Sequence, residues 1–500
     1  MNSPIVSAAE MRAAEEAAFA RGVEVEALMD EAGAGVAHAV RQFFPRAGTC
    51  IVYAGKGHNG GDALVAAECL LRAGWKIDVR LPFSEADCSE LTCKKLAAVR
   101  DAEGGRGPSA PTVAALRTLP HLIVLDGLLG VGATSLLREP IRSAAVEINR
   151  LRREENAYVF AVDLPTGLHG DSGEIDPDCV VADFTVTIGF AKHGLIADDA
   201  LDFIGRIEVA PLAELTVEGV RNETAATAHS LAALIPRRKF SVHKNQFGRI
   251  GVVAGSKGFV GAAIMTASGA LRSGAGLVEL FVPEDIYEIA ATAAPPEVMV
   301  KATRSYRELA DEKIDVWALG PGLGKANATR IRELIVNARA PMVVDADGLN
   351  ILAEEIEVLK RCRGPRLLTP HPGEMKRLFD SGKMSRAGIA RNFCEQFPVT
   401  LLLKGARTIV AQRGEPLSFN TTGNPGMATG GMGDVLTGVC AGLIGQDLSL
   451  YDAARLGAWL CGRAAEIAIF HGGASEQSLL PSDVLGNLGA AFGSLMKKGE

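Results

Sequence analysis

The sequence predicts an α/β protein built as two successive domains, and the pattern of the chain carries that expectation. Short apolar runs rich in Val, Ile and Leu alternate with stretches of helical periodicity in both halves. A stretch of small and polar residues at 217–228 interrupts that alternation and reads as a linker. A chain of 500 residues also exceeds what one hydrophobic core usually organises.

In the first half a helix is expected over 8–19, with Ser7 as its cap and Glu10 completing a capping box. A second helix follows over 25–43. Then come a strand at 49–54, a glycine-rich turn, a helix at 62–73 and strands at 76–81, 122–125, 158–162 and 184–188. This is a doubly wound pattern. Past the linker a new series opens near His229, with a strand at 249–254 and a helix at 261–275. Strands are expected at 277–282, 316–319, 342–345, 366–368 and 400–404, and a helix at 435–444. No period relates the halves, so they are not a repeat. The domains are drawn at 1–220 and 229–500.

Composition narrows the function classes. Apolar residues form 48% of the chain and charged ones 22%, the balance of a globular protein with ample core. A net charge of -7 without long runs gives no footprint for nucleic acid or an anionic membrane. The nine cysteines show no C-x-x-C spacing, which disfavours a zinc site or a disulfide framework; Cys88 and Cys93 alone could approach in a loop. Acidic residues stand where a signal peptide needs an apolar core, and no uncharged run reaches spanning length. A cytoplasmic location is expected.

The strongest motif is Thr422-Gly-Asn-Pro-Gly-Met-Ala-Thr-Gly-Gly-Met-Gly-Asp434, running straight into an apolar helix. Its glycines leave amides open where the helix dipole is positive, so an anion is expected there. Asp434 in the first turn could accept a hydroxyl proton during attack on a phosphate. The bland alternative is an acid favoured at a helix start, but five glycines and a proline cost backbone entropy that capping alone does not require. Leu401-Leu-Leu-Lys-Gly-Ala-Arg-Thr408 and Gly320-Pro-Gly-Leu-Gly324 each end a strand in a loop at the edge where α/β sheets bind ligands. Thr369-Pro-His-Pro-Gly-Glu374 places His371 between prolines in a rigid loop, where an imidazole is held for a ligand.

Asn350, His371 to Glu374, Lys404 to Thr408, Thr422 to Asp434 and Gly255-Ser-Lys-Gly-Phe-Val-Gly-Ala-Ala263 together resemble the ADP/ATP-dependent NAD(P)H-hydrate dehydratases. The resemblance implies a ribokinase-like α/β domain. In it a nucleotide phosphorylates the hydroxyl of hydrated NADH or NADPH, and phosphate then leaves to restore the nicotinamide ring. It implies that Lys404, Gly405, Ala406, Arg407, Thr408 and Gly433 contact the nucleotide. Ala262, Gly324, His371 and Asp434 would contact the hydrate. Mg2+ and ADP or ATP are the implied cofactors, and the motif is close to the bacterial form, which favours ADP.

In the first half, Ala54-Gly-Lys-Gly-His-Asn-Gly-Gly-Asp62 is again a strand, a glycine turn and a helix, without P-loop or dinucleotide spacing. Asp126, in Leu125-Asp-Gly-Leu-Leu-Gly-Val-Gly132, and Asp163, in Ala161-Val-Asp-Leu-Pro-Thr-Gly167, end strands beside the expected crevice. Asn59, Asp126 and Thr166 offer hard oxygen ligands suited to potassium or magnesium rather than zinc. Each strand-end acid could equally cap a loop.

These segments, with Glu10-Met-Arg12, Gly173-Glu-Ile175, 182–187, Lys192 and Gly194, resemble the NAD(P)H-hydrate epimerases over about residues 5–215. That implies a Rossmann-like three-layer α/β/α domain interconverting the R and S hydrates. It implies hydrate contacts from His58, Asn59, Gly60, Gly61, Asp62, Gly130, Val131, Gly132, Ala133, Thr134, Ser135, Leu136 and Asp163. Potassium would lie on Asn59, Asp126 and Thr166, and Asp163 is the candidate acid/base. His58 stands where that family usually has Asn, Ala63 where Gly is usual, and Thr166 where Ser is usual.

The expected whole is a bifunctional repair enzyme, a lyase and isomerase with small-molecule substrates and a homo-oligomeric assembly. The alternative is a ribokinase-like kinase of a vitamin or sugar carrying a non-catalytic N-terminal binding domain.

Overall fold

The computed structural model describes residues 3–104, 120–132, 136–219, 221–235 and 237–496. It divides into two compact units, Ser3–Arg221 and a second opening at Asn222. In the N-terminal unit the helix Ala8–Ala20 begins on the capping box of Ser7 and Glu10, and Val25–Phe43 follows. Six parallel strands form its sheet in the order Lys76–Arg80, Thr49–Ala54, Leu122–Gly127, Tyr158–Val162, Phe184–Ile188 and Arg206–Ala210. The central strands are buried on both faces, and 50–54 and 123–125 accordingly read as unbroken apolar runs. From Thr49–Ala54 the chain goes first to one side and then to the other, so a switch point lies between that strand and Leu122–Gly127. Ligands of such sheets bind at the carboxyl ends of the two strands flanking that point.

The C-terminal unit repeats this logic on a larger sheet. Its order is Val298–Thr303, Leu277–Pro283, Arg249–Val253, Val316–Leu319, Met342–Val344, Arg366–Leu368 and Thr400–Leu403, all parallel. Ile409–Gln412 and Leu417–Asn420 continue it antiparallel, and Glu223–Ala226 pairs parallel with the last. The switch point falls between Arg249–Val253 and Val316–Leu319. Helix Met432–Ile444 packs on Val260–Arg272 closely enough that their backbones approach at glycines. A Cβ on Gly438 would come within 1.9 Å of the Thr266 carbonyl oxygen, and one on Gly269 within 2.5 Å of that of Val435.

Some expected elements shift. The stretch read as a linker holds the strand Glu223–Ala226, whose Thr and Ala side chains are buried against Leu417–Asn420. The helix expected from 62 begins at His58, so the glycine turn is mostly its first turn. Gly60 serves close approach there: a Cβ would stand 1.9 Å from the Gly55 carbonyl oxygen. Cys93 lies in helix Glu90–Ala102 rather than in a loop, and its thiol is free, as is that of Cys88. Among the described residues no helix is long and apolar enough to cross a membrane, and no cluster of three or more His, Cys, Asp or Glu could hold a metal.

Candidate active sites

In the C-terminal unit the glycine loop enters its helix at Gly431, whose φ of 95° is left-handed and suits glycine. Asp434 follows in the first turn. Burial pushes its carboxyl up to about 6, Asp345 adds to the rise, and Lys404 opposes it. Gly433 is the point of closest approach: a Cβ there would stand 3.2 Å from Lys404 Nζ and 3.3 Å from an Asp345 oxygen. Lys404 pairs with Asp345 at 2.6 Å and lies 3.9 Å from Glu374. An ammonium, the amides of a helix start and a half-buried carboxyl are therefore gathered at one end of helix Met432–Ile444, an arrangement able to hold a phosphate and take up a proton.

The loop after Lys404 turns through Gly405 at φ 145° and Arg407 at φ 59°. Arg386 donates to the carbonyls of Ala406 at 2.8 Å and Arg407 at 3.2 Å, and Thr408 Oγ1 donates to that of Gly405 at 3.1 Å. Gly405 and Ala406 are left exposed. The Gly320–Gly324 loop is brought to the same edge, since a Cβ on Gly320 would come within 1.9 Å of the Asp345 carbonyl oxygen. Gly324 donates its N–H to Asp347 at 2.8 Å and has open space on its other side. Ala262 packs beside Gly322, and Met265 on the same helix reaches Gly431.

His371 corrects the loop expectation. It caps helix Pro372–Leu378, its Nδ1 accepting from the N–H groups of Gly373 at 3.0 Å and Glu374 at 3.3 Å. Glu374 closes the capping box on the His371 N–H at 2.8 Å, so proline at the first helical position starts a helix rather than a rigid turn. Nε2 stays half exposed, 3.5 Å from Glu374.

In the N-terminal unit Asp163 has a left-handed φ of 69° and is 6% exposed. Its Oδ1 forms an ion pair with Lys192 Nζ and accepts from Ile188 N at 3.2 Å, while Oδ2 accepts from Val131 N at 3.3 Å. Lys192 is fully buried, donating also to Thr187 Oγ1 at 3.2 Å and the Ile188 carbonyl at 2.8 Å. Asn59 and Asp163 converge on Gly130, where a Cβ would meet their side-chain oxygens at 3.2 and 3.4 Å. Asp62, buried in the helix that opens at His58, is raised well above the usual carboxylate range by desolvation, then by Asp163 and Glu15. Glu15 is likewise raised by burial, with Lys192 opposing and Asp163 adding.

Asp126 and Thr166 join directly: Thr166 Oγ1 donates to Asp126 Oδ1 at 2.7 Å and its N–H to Oδ2 at 2.8 Å. Asp126 is fully buried, its carboxyl pushed to about 6 by desolvation, and among the described residues no cationic side chain pairs with it. Ala63, where glycine is usual, faces Gly127, which leaves room for its methyl. His58 is exposed, as is Leu136, while Ala133, Thr134 and Ser135 lie outside the described residues.

Sequence reasoning named Lys192 only as a supporting position and passed over Glu15, Asp345 and Asp347. The strand-end rule that singled out Asp126 and Asp163 applies equally to Asp345, which directly follows Met342–Val344.

Two α/β units, each with acids and glycine turns gathered at the carboxyl ends of parallel strands and at helix starts, define an enzyme of the nucleotide- or dinucleotide-handling kind. Residues 250–483 match the family model described as NAD(P)H-hydrate dehydratase, and residues 25–194 that described as YjeF-related protein N-terminus. The chain is 36% identical to the bifunctional NAD(P)H-hydrate repair enzyme of Moorella thermoacetica, over 92% of this chain and 90% of that one. It is 33% identical to the enzyme of the same name from Coxiella burnetii, over 96% and 97% of the two chains. It also resembles the crystal structure of the ADP/ATP-dependent NAD(P)H-hydrate dehydratase from Bacillus subtilis co-crystallised with ATP/Mg2+. That match has a TM-score of 0.48 and 28% identity, covering 54% of this chain and 97% of that one. The chain belongs to the family of bifunctional NAD(P)H-hydrate repair enzymes.

Proposed function

We propose that the two units act on hydrated NADH and NADPH, the N-terminal one interconverting the R and S hydrates and the C-terminal one dehydrating the S form at the expense of ADP or ATP. The observation that carries this reading is Asp434, a half-buried carboxyl near 6 in the first turn of helix Met432–Ile444 and within electrostatic reach of Lys404.

In the C-terminal unit the terminal phosphate lies at the start of helix Met432–Ile444, with Lys404 beside it and the exposed turn at Gly405 and Ala406 along the nucleotide. The hydrate hydroxyl attacks phosphorus, the bond to the leaving nucleotide breaks, and Asp434 takes the hydroxyl proton. Phosphate then departs with that oxygen, and loss of a ring proton restores the double bond. Magnesium accompanying the nucleotide would offset the charge of its phosphates alongside Lys404. Ala262, Gly324 and His371 line the hydrate side.

In the N-terminal unit Asp163 is the acid/base, held by Lys192 and facing Asn59 across Gly130. Inversion there means that the C–O bond breaks and re-forms on the other face, the oxygen gaining a proton as it leaves and losing one as it returns. Asn59, Asp126 and Thr166 suit potassium, because they offer oxygen ligands and Asp126 is a buried carboxyl without a cationic partner among the described residues. The ion would supply the missing positive charge and fix the loops that carry these residues.

The deciding experiment is spectroscopic. Chemically hydrated NADH, given ADP or ATP with magnesium, regains its full absorbance with the wild-type chain, the R fraction included. With Asp163→Ala the recovery stops at the S fraction plus slow spontaneous conversion. Equal recovery of the R fraction by that variant would remove the epimerase role of Asp163. A stable phosphoester without recovered NADH would favour a plain kinase.

A further inference from the structure

Asp345 directly follows the strand Met342–Val344, is 1% exposed, and belongs to none of the motifs that marked the site. Its two oxygens are divided between two elements. Oδ1 accepts from Lys404 Nζ at 2.6 Å, and Oδ2 from Thr437 Oγ1 at 2.8 Å. Its N–H donates to the Leu319 carbonyl at 3.0 Å, and its own carbonyl lies against Gly320. One residue thus ties the Lys404 loop, helix Met432–Ile444 and the Gly320–Gly324 loop to the end of one strand.

A carboxylate this deep is costly unless paired, and a merely structural junction would be met as well by apolar side chains. Its partner is not sealed in. The Lys404 side chain keeps 18% of its exposure, and its next anionic neighbour, Glu374, is 3.9 Å away. Donors on that ammonium remain for an incoming phosphate. Asp345 Oδ2 also stands at Gly433, one residue before Asp434.

We propose that Asp345 is a positioning residue of the dehydratase site: it holds Lys404 Nζ over Gly433, where the terminal phosphate arrives, and sets a second negative charge against Asp434. The inference rests on the dehydratase reading of this unit. The charged groups that act on Asp434 are Asp345 and Lys404, with Glu374 and the half-exposed His371 behind Lys404. A like charge at that distance favours the protonated form of Asp434, in line with its carboxyl lying near 6.

The test uses the full chain and the NADH-recovery assay across pH. Asp345→Asn removes the charge while its amide oxygen can still accept from Thr437. Expected are a fall in kcat of about tenfold, from the loosened ammonium, and a nucleotide KM within about threefold, because one negative charge near the phosphates is lost as well. The acid limb of kcat/KM moves below about 6, toward the ordinary carboxylate value. Thr437→Val keeps both charges and is expected to leave the acid limb in place.

A merely structural role predicts instead that both variants lose activity alike with no movement of the limb, and that result overturns the proposal. So does an Asp345→Asn chain with wild-type kcat and pH profile. Should Asp345→Asn fail to fold, Asp345→Ser decides: it likewise removes the charge and keeps a hydroxyl for Thr437, the acid limb is expected below about 6, and a limb still at about 6 overturns the proposal. A wild-type chain that binds nucleotide and restores no NADH overturns the dehydratase reading and the proposal together, whereas normal wild-type recovery with an unaltered variant overturns the proposal alone.

Discussion

In the N-terminal unit Asp163 directly follows a strand and pairs with Lys192, and Asp62 lies near the start of a helix that opens on a glycine turn. In the C-terminal unit Asp345 directly follows a strand and pairs with Lys404, and Asp434 stands in the first turn of a helix entered through glycines. In each, burial and then the strand-end aspartate raise the second carboxyl. The same three charges arise from unrelated stretches because both sheets offer the same kind of place, the carboxyl end of a parallel strand and a glycine-led helix start. What separates them is the lysine. All three donors of Lys192 are used inside a fully buried pocket, whereas Lys404 is partly exposed with its next anion at 3.9 Å. A sealed lysine can only orient its carboxylate; one with donors to spare can also meet a phosphate.

That difference breaks most visibly at Lys192. Lys192→Met leaves Asp163 buried without its counter-charge, and losing one partner of such a pair costs about 3–5 kcal/mol. Denaturant unfolding followed on the N-terminal unit should show that loss together with lost R-to-S conversion. Adding Asp163→Asn should restore much of the stability and none of the conversion. A single variant as stable as wild type would mean that the pair is not what fixes Asp163.

At the C-terminal site the corresponding loss is chemical. Asp434→Asn should bind nucleotide normally and lose at least about 10²-fold in turnover, as removing a general base does. The pH profile sharpens the comparison. A carboxyl raised to about 6 acts as a base only when ionised, so wild-type kcat/KM should be full above that value and fall about tenfold per unit below it. Near-normal turnover by the variant, or a flat profile down to pH 5, would remove Asp434 as the base.

The contrast between the two lysines also shows what sequence conveys. Glycine loops are contiguous, so both glycine-led helix starts were legible to within a turn or so, and buried strands announced themselves as apolar runs at 122–125 and Tyr158–Val162. The ion pairs were not legible, because they join residues 29 and 59 positions apart whose adjacency exists only after the sheet is wound. Glu223–Ala226 escaped for another reason: four small or polar residues have the composition of a linker, and only their pairing makes them a strand. His371 was misread because a histidine flanked by prolines looks like a turn, while proline and the glutamate after it are equally the grammar of a helix start.

The smallest expected effect concerns Asp126, which pairs with no lysine among the described residues. Its carboxyl is raised from 3.8 to about 6 by desolvation, against the hydrogen bonds from Thr166 and Leu128. A folded-state value above the unfolded one contributes stability that is present below 3.8 and lost as pH rises through about 6. A cation that pairs with the ionised form returns that loss, so potassium should stabilise the N-terminal unit more at pH 7.5 than at pH 5. At about ten times its dissociation constant the gain is about 1.4 kcal/mol, readable as a thermal shift against choline chloride of equal ionic strength. Asp126→Asn should abolish the dependence on both ion and pH. If potassium acted equally at the two pH values, or choline did as well, the Asn59, Asp126 and Thr166 cluster would be a hydrogen-bonded junction of loops and not a cation site.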